Sequence, residues 1–235
     1  MKIAVITGAN TELGREFAVQ ISRHFSKIEE IWLIDSHTDK LKDIEKLIHN
    51  KKIRKISLDF SYDESYKIYK KLLQDSEARI KILINAADYG RNIEFERSSY
   101  QQQEDLININ CKSKIIITKI SIPYMYFKSY ILNLSFFAMP KISSYSAANI
   151  MILNFSKRLD KELKSRGIRV CAVCSGFGAG EFCSTDKNKI GFNCNSFNTT
   201  ENKVKKALFD AVIFHKELSA NILDRIIMII SNVIN

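Results

Sequence analysis

The segment KIAVITGANTELGRE, residues 2–16, decides how the chain is read. Ile3, Ala4, Val5 and Ile6 form a short apolar run rich in β-branched residues, the pattern of a strand buried on both faces. Thr7-Gly8-Ala9-Asn10 breaks that run. Gly14 then opens a stretch in which Leu13, Phe17, Ala18 and Ile21 recur at helical spacing. Strand, glycine turn and helix in succession place backbone N–H groups and the positive end of a helix dipole beside the turn. That is a seat for a pyrophosphate.

Composition sets the frame around this segment. The chain has 235 residues, 46% of them hydrophobic, enough for one α/β domain with a sizeable core. With eight Gly, two Pro, no linker-like stretch and no internal repeat, residues 1–235 read as a single domain. The net charge of +10 comes largely from lysines on polar helix faces, such as Lys40, Lys42, Lys46, Lys67, Lys70 and Lys71. Nucleic-acid binding asks for clustered charge interleaved with aromatics, so that class of partner is set aside. Cys171 and Cys174 are three apart on a predicted strand and so face opposite ways. They cannot chelate together, no metal is expected, and buried thiols in a reducing cytoplasm are the simpler reading. The chain enters its first strand at once, leaving no room for a signal peptide.

Further strands alternate with helices along the chain. Ile31–Ile34 is a second apolar run, closed by Asp35, and Lys52–Leu58 a third, followed by Asp59-Phe60. A polar amphipathic helix is predicted over 63–76. Ile80–Ile84 runs into Asn85-Ala86-Ala87-Asp88-Tyr89-Gly90. One long helix is predicted over 99–127, with Leu106, Ile107, Ile109, Ile116, Ile117 and Ile120 as its apolar stripe and Asn110 inside it. A fifth strand over Ile131–Ser135, a helix over Ser143–Arg166 and a sixth strand over Ile168–Cys174 follow. This alternation predicts a doubly wound parallel sheet, Rossmann-like, of six strands with helices on both faces. The segment HKELSAN (215–221) is too short and polar to offer a clear seventh.

Asp35 lies about twenty residues beyond the glycine turn, where an acidic residue accepts hydrogen bonds from an adenosine ribose. A carboxylate there welcomes the two hydroxyls of NAD and repels the 2′-phosphate of NADP. Its neighbour Ser36 and the loop residue Thr11 are neutral, so NAD(H) is expected over NADP(H). The plainer alternative is that Asp35 caps a helix beginning near Thr38.

The order and spacing of these segments resemble the short-chain dehydrogenase/reductase family. Its nucleotide loop is written T-G-x-x-x-G-x-G; here Glu12 stands at the middle glycine. The resemblance implies that Gly8, Asn10, Leu13 and Gly14 line the cofactor, that Asp59 with Phe60 reaches its adenine, and that the Asn85-Ala86-Ala87 backbone runs beside it. Asp88 adds a charge where the family keeps none. Asn110, some ten residues before Pro123-Tyr124-Met125, matches the family asparagine that holds a water near the reaction centre. SSYSAAN resembles S-A-Y-S-A-S-K, which makes Tyr145 the catalytic tyrosine and puts Asn149 at the lysine position. Asn133-Leu134-Ser135-Phe136 aligns with N-I-S-S, so Phe136 replaces the catalytic serine and leaves Ser135, Ser143 or Ser144 as substitutes. Ser175-Gly176-Phe177 resembles P-G-F, placing Gly176 at the cofactor, and Gly180 stands where a carboxamide-binding threonine often sits. Residues 177–200 correspond to a substrate lid, and a homodimer or tetramer is implied.

Family chemistry moves a hydride between nicotinamide and a carbonyl or alcohol carbon while the tyrosine moves the proton. A free tyrosine has a pKa of about 10, and a neighbouring ammonium lowers such a value by roughly 1 to 3 units. Asn149 brings no charge and Phe136 no hydrogen bond. Two readings follow. One is an NAD-dependent oxidoreductase with Tyr145 as acid/base; the other is a pseudoenzyme, a dinucleotide-binding or scaffolding protein that keeps the fold but not hydride transfer. The apolar face of 219–234 is interrupted by Asp224 and Arg225 and falls short of a membrane span. It is expected to pack on the body or a second subunit, with membrane-surface docking as the alternative.

Overall fold

A computed structural model of the chain describes residues 1–90, 92–136 and 143–175. Its strands are β1 (Lys2–Thr7), β2 (Glu30–Asp35), β3 (Lys52–Ser57), β4 (Arg79–Asn85), β5 (Met125–Phe136) and β6 (Arg169–Ser175). They form one sheet in the order β3-β2-β1-β4-β5-β6, every pair parallel. The helices are α1 (Glu12–His24), α2 (Lys42–Glu45), α3 (Asp63–Asp75), α4 (Tyr100–Ile107), α5 (Ser113–Ser121) and α6 (Ser143–Leu163). This is the doubly wound fold the sequence pattern predicts.

Strand periodicity divides the core in two. Ala4 and Ile6 of β1 join Phe17, Ala18 and Ile21 of α1 and Tyr145 and Ala148 of α6. Ile3 and Val5 point the other way, into a cluster with Tyr69 and Leu73 of α3 and Ile117 of α5. The chain leaves β1 outward to β2 and β3, then crosses back to β4 on the other side of β1. That reversal opens a crevice at the carboxyl ends of β1 and β4, where α/β sheets of this winding bind their ligands.

The single helix expected over 99–127 is not what forms. A capping box at Ser99 and Gln102 starts α4, a π-helical turn at Asn108–Lys112 joins it to α5, and a 3₁₀ turn over Ile122–Tyr124 ends the run. Pro123 in that turn cannot donate to a continuing helix. The aromatic-rich Met125–Tyr130 therefore begins β5 six residues earlier than predicted, with a register shift against β4 and Lys128 in the left-handed region at φ 64°. Elsewhere the predicted elements match to within a residue or two. α6 ends through a 3₁₀ turn capped by Gly167 at φ 64°. Among the described residues no helix is long and apolar enough to cross a membrane. The expectations for Gly176, Gly180, the 177–200 lid, the possible strand at 215–221 and the 219–234 helix fall outside the described residues.

Candidate active site

The glycine turn is built by steric necessity. Gly8 adopts φ 64°, and a Cβ there would lie 2.4 Å from the Ala87 amide nitrogen. A Cβ on Gly14 would lie 2.3 Å from the Gly8 carbonyl oxygen. Thr11 caps α1: its hydroxyl donates to the Gly8 carbonyl at 2.7 Å and accepts from the Gly14 amide at 3.0 Å. Glu12 is exposed in the first turn, where its charge suits the helix dipole.

Asp35 is tied to this turn. One carboxylate oxygen accepts the Asn10 amide at 3.0 Å and the other the His37 amide at 3.0 Å. The short helix beginning at Thr38 takes no side-chain cap, so Asp35 is not its N-cap. Arg15 donates to the Asn10 carbonyl and side-chain oxygens at 3.2 and 2.7 Å, bringing a cation to the turn beside Asp35. Sequence reading missed that proximity. Leu13 is half-buried beside the α1 core. Asp59 accepts the Ser61 amide and hydroxyl at 2.9 and 2.7 Å. The Phe60 ring is buried and stacked on Tyr66, centroids 5.5 Å apart, so only its backbone can face a ligand.

The far wall is the segment after β4. Asn85 donates to Thr118 at 3.1 Å and Asn133 at 2.7 Å, and Asn133 donates to Ser156 at 2.9 Å. This buried ladder stitches α5, β4, β5 and α6 together across the sheet. Ala86 and Ala87 press against Gly8. Asn110 sits in the π-helical turn, 1% exposed, with its carbonyl accepting the Tyr89 amide at 2.9 Å and its amide donating to the Tyr89 carbonyl at 2.7 Å. Its side chain thus clamps the loop after β4.

Tyr145 is fully buried in the first part of α6, and its hydroxyl donates to both carboxylate oxygens of Asp88, at 3.0 and 3.1 Å. Asn149 turns its amide onto the Tyr145 carbonyl at 2.8 Å, and Ser135 donates its hydroxyl to the Asn149 carbonyl at 2.9 Å. Both groups are engaged along α6. Ser143 is exposed and Ser144 half-buried at the start of the same helix.

Two charged residues to which the sequence reading gave no role lie buried in or near this part of the fold. Asp88, noted only as an unfamiliar charge, is the partner of Tyr145. Lys114 of α5 is 1% exposed and donates to the Leu134 carbonyl at 2.6 Å. Burial lowers its pKa to about 8, with the charges of Asp88 and then Cys111 pulling the other way. The signal for Lys114 was present: a lysine four residues after Asn110, inside an otherwise apolar stripe. Among the described residues no cluster of side chains suits a metal ion.

The comparisons with known proteins agree with this geometry. The chain is 31% identical over 199 residues to a very-long-chain 3-oxoacyl-CoA reductase of Rattus norvegicus, an alignment covering 78% of this chain and 62% of the rat protein. The chain thus spans less than two thirds of the length of that relative, and about half of the fungal proteins of the same name. An uncharacterized oxidoreductase of Staphylococcus aureus is 26% identical, with 80% and 85% of the two chains covered. Among solved structures, a bulky-bulky ketone specific alcohol dehydrogenase from Comamonas testosteroni superposes with a TM-score of 0.74 at 21% identity, covering 99% and 94% of the chains. A short-chain dehydrogenase from Sphingobium yanoikuyae in complex with NADPH gives 0.73 at 21%, covering 99% and 95%. The model of the short chain dehydrogenase family matches residues 2–189, and with the turn, the strand-end segment and the buried tyrosine in place, the chain belongs to that family.

Proposed function

We propose that this chain is an oxidoreductase that uses NAD(H) in preference to NADP(H) to interconvert a carbonyl compound and a secondary alcohol, with Tyr145 as acid/base. One observation carries the reading. The Tyr145 hydroxyl reaches Asp88, in the same segment whose Ala87 backbone abuts Gly8. Proton donor and dinucleotide seat therefore share one wall.

The residues present fit an adenine dinucleotide. The α1 amino terminus and its two-glycine turn offer a cradle for the phosphates, and the Asp35 carboxylate stands at the rim for the ribose. The bound nicotinamide would supply or accept the hydride. Tyr145 would release its proton to the developing alcohol oxygen in reduction, or take it in oxidation. Phe136 contributes no hydrogen bond to that oxygen, so stabilisation of the oxyanion rests on Tyr145. The 3-oxoacyl-CoA name of the rat relative puts β-keto thioesters among the first carbonyl substrates to try.

The pseudoenzyme reading has its own support: Tyr145 is fully buried, and Ser135 and Asn149 spend their donors within the fold. Calorimetric titration with NADH and NADPH, followed by assays on ketones and 3-oxoacyl thioesters, separates the two. Binding with turnover supports the oxidoreductase, and binding without turnover on any carbonyl supports the pseudoenzyme. No heat with either nucleotide at millimolar concentration rejects the oxidoreductase and leaves a scaffolding role.

A further inference from the structure

The bonds from the Tyr145 hydroxyl to Asp88, at 3.0 and 3.1 Å, put a carboxylate beside the group that meets the substrate's reacting atom. Any atom that this hydroxyl also reaches, at about 2.8 Å, lies within about 6 Å of the nearer Asp88 oxygen. A carboxylate at that range favours a cation and disfavours an anion. Asp88 is half-buried and Tyr145 fully buried, so the carboxylate is the more accessible of the pair. Carbonyl reduction builds negative charge on oxygen, and its catalysis rests on donors aimed at that oxygen. Phe136 has no donor to give, and Asn149 brings no charge and turns its amide onto the Tyr145 carbonyl at 2.8 Å. Release of the Tyr145 proton would also leave a phenolate against the carboxylate. A site of this polarity suits an electrophile that is positive before hydride reaches it.

We propose that this site takes a protonated imine, a cationic C=N compound, in preference to a neutral carbonyl, and that Asp88 is the group that binds the cation. This rests on the oxidoreductase reading above and changes its electrophile. The imine arrives already carrying a proton from water. Hydride from the bound dihydronicotinamide forms the new C–H bond at the imine carbon, the C=N π pair becomes the nitrogen lone pair, and the dinucleotide leaves oxidised. Cation and hydride together give a neutral amine. No proton has to leave Tyr145 in that step, so its bonds to Asp88 persist through it. The amine takes a proton from water on release.

The plain alternative is that Asp88 only anchors Tyr145 in the fold. NADH-dependent reduction of 2-methyl-1-pyrroline and of cyclopentanone by the full chain separates the two, since these five-membered rings differ in offering C=N or C=O. In the wild type kcat/KM should favour the imine. Asp88→Asn keeps the shape and loses the charge. It should cut that preference about tenfold, the equivalent of one pKa unit, by slowing the imine and not the ketone. A merely structural Asp88 would lose both rates together. A wild type that prefers the ketone, or a preference that Asp88→Asn leaves in place, overturns the proposal while the oxidoreductase reading stands. Asp88→Gly serves should the asparagine variant not fold. Independently of turnover, calorimetric titration should show pyrrolidinium bound more tightly than its neutral counterpart cyclopentanol, by a margin that Asp88→Asn removes. Equal binding of the two also overturns the proposal. A margin that Asp88→Asn removes, in a protein that reduces neither ring, supports the cation site at Asp88 and rejects the oxidoreductase reading alone.

Discussion

The Tyr145 hydroxyl is bonded to both oxygens of Asp88, at 3.0 and 3.1 Å, in the segment that closes β4. A carboxylate beside a phenol disfavours phenolate. In the alcohol oxidation proposed above the tyrosine takes a proton, so the neighbouring carboxylate should bear on the pH at which it begins. Asp88→Asn keeps the shape and an acceptor oxygen while removing the charge. The rising limb of the oxidation pH profile should move to lower pH by about one unit. A limb that stays in place would mean that Tyr145 is not the base.

Lys114 gives a second pH prediction, in stability. Its folded pKa, about 8, lies below the ordinary 10.5. Between those values the unfolded chain holds a proton there that the folded chain has released, so this group's contribution to stability rises with pH. Below about 8 the fold carries a buried ammonium and bears its desolvation. Lys114→Met should therefore unfold at higher denaturant than wild type at pH 7, with the difference narrowing toward pH 10. Chemical denaturation at the two values checks this. A methionine variant less stable at both would mean that the bond to Leu134 outweighs burial.

Legibility followed the range of the interactions. β1, the glycine turn and α1 were readable because strand burial, turn sterics and helix periodicity are local, and Gly8 and Gly14 are the residues those sterics demand. The break at Asn108–Lys112 was not, because the apolar stripe continues through it and only the clamp of Asn110 on Tyr89, far away in sequence, shows what the bulge accomplishes. Motif alignment found Tyr145 but not its partner. Asp88 matched no family position, and the burial of Lys114 depends on how α5 packs against β5.

That clamp has a measurable worth. Asn110→Ala removes both side-chain bonds to the Tyr89 backbone and leaves a partly buried N–H and C=O without those partners. At about 1 to 3 kcal/mol for each such group, the variant should lose roughly 2 to 6 kcal/mol in urea unfolding. Asn110→Asp keeps the acceptor and loses the donor, so its loss should be smaller. Equal losses would show that the contacts of Asn110 with Tyr89 do not carry its role.

Gly8 tolerates nothing larger. Its φ of 64° and the 2.4 Å approach of a Cβ to the Ala87 nitrogen act together. Backbone strain of about 1 to 3 kcal/mol and overpacking of similar size should add in Gly8→Ala. Unfolding and dinucleotide titration should report lost stability and lost binding together, since the turn and the wall it presses on are parts of one seat. Unchanged nucleotide affinity in a folded Gly8→Ala protein would place the binding site elsewhere.

The preference for NAD(H) proposed above turns on Asp35, and two charges bear on it. Its carboxylate repels a 2′-phosphate, while Arg15, held on Asn10 beside it, would attract one. The carboxylate is placed by backbone amides at 3.0 Å on each oxygen, whereas the Arg15 guanidinium already bonds the Asn10 carbonyl and side chain. Repulsion should therefore prevail in the wild type, and NADH should bind more tightly than NADPH. Asp35→Asn removes the charge and keeps one acceptor. A hydrogen bond to a charged group is worth about 1.5 to 3 kcal/mol, so NADH affinity should fall tenfold or more. NADPH affinity should hold or rise once Arg15 acts unopposed, and the ratio of the two dissociation constants should close or invert. Titration of both nucleotides against both proteins checks this, with Arg15→Ala as the reciprocal variant: it should weaken NADPH more than NADH. A wild type that already prefers NADPH would assign the turn to Arg15 instead.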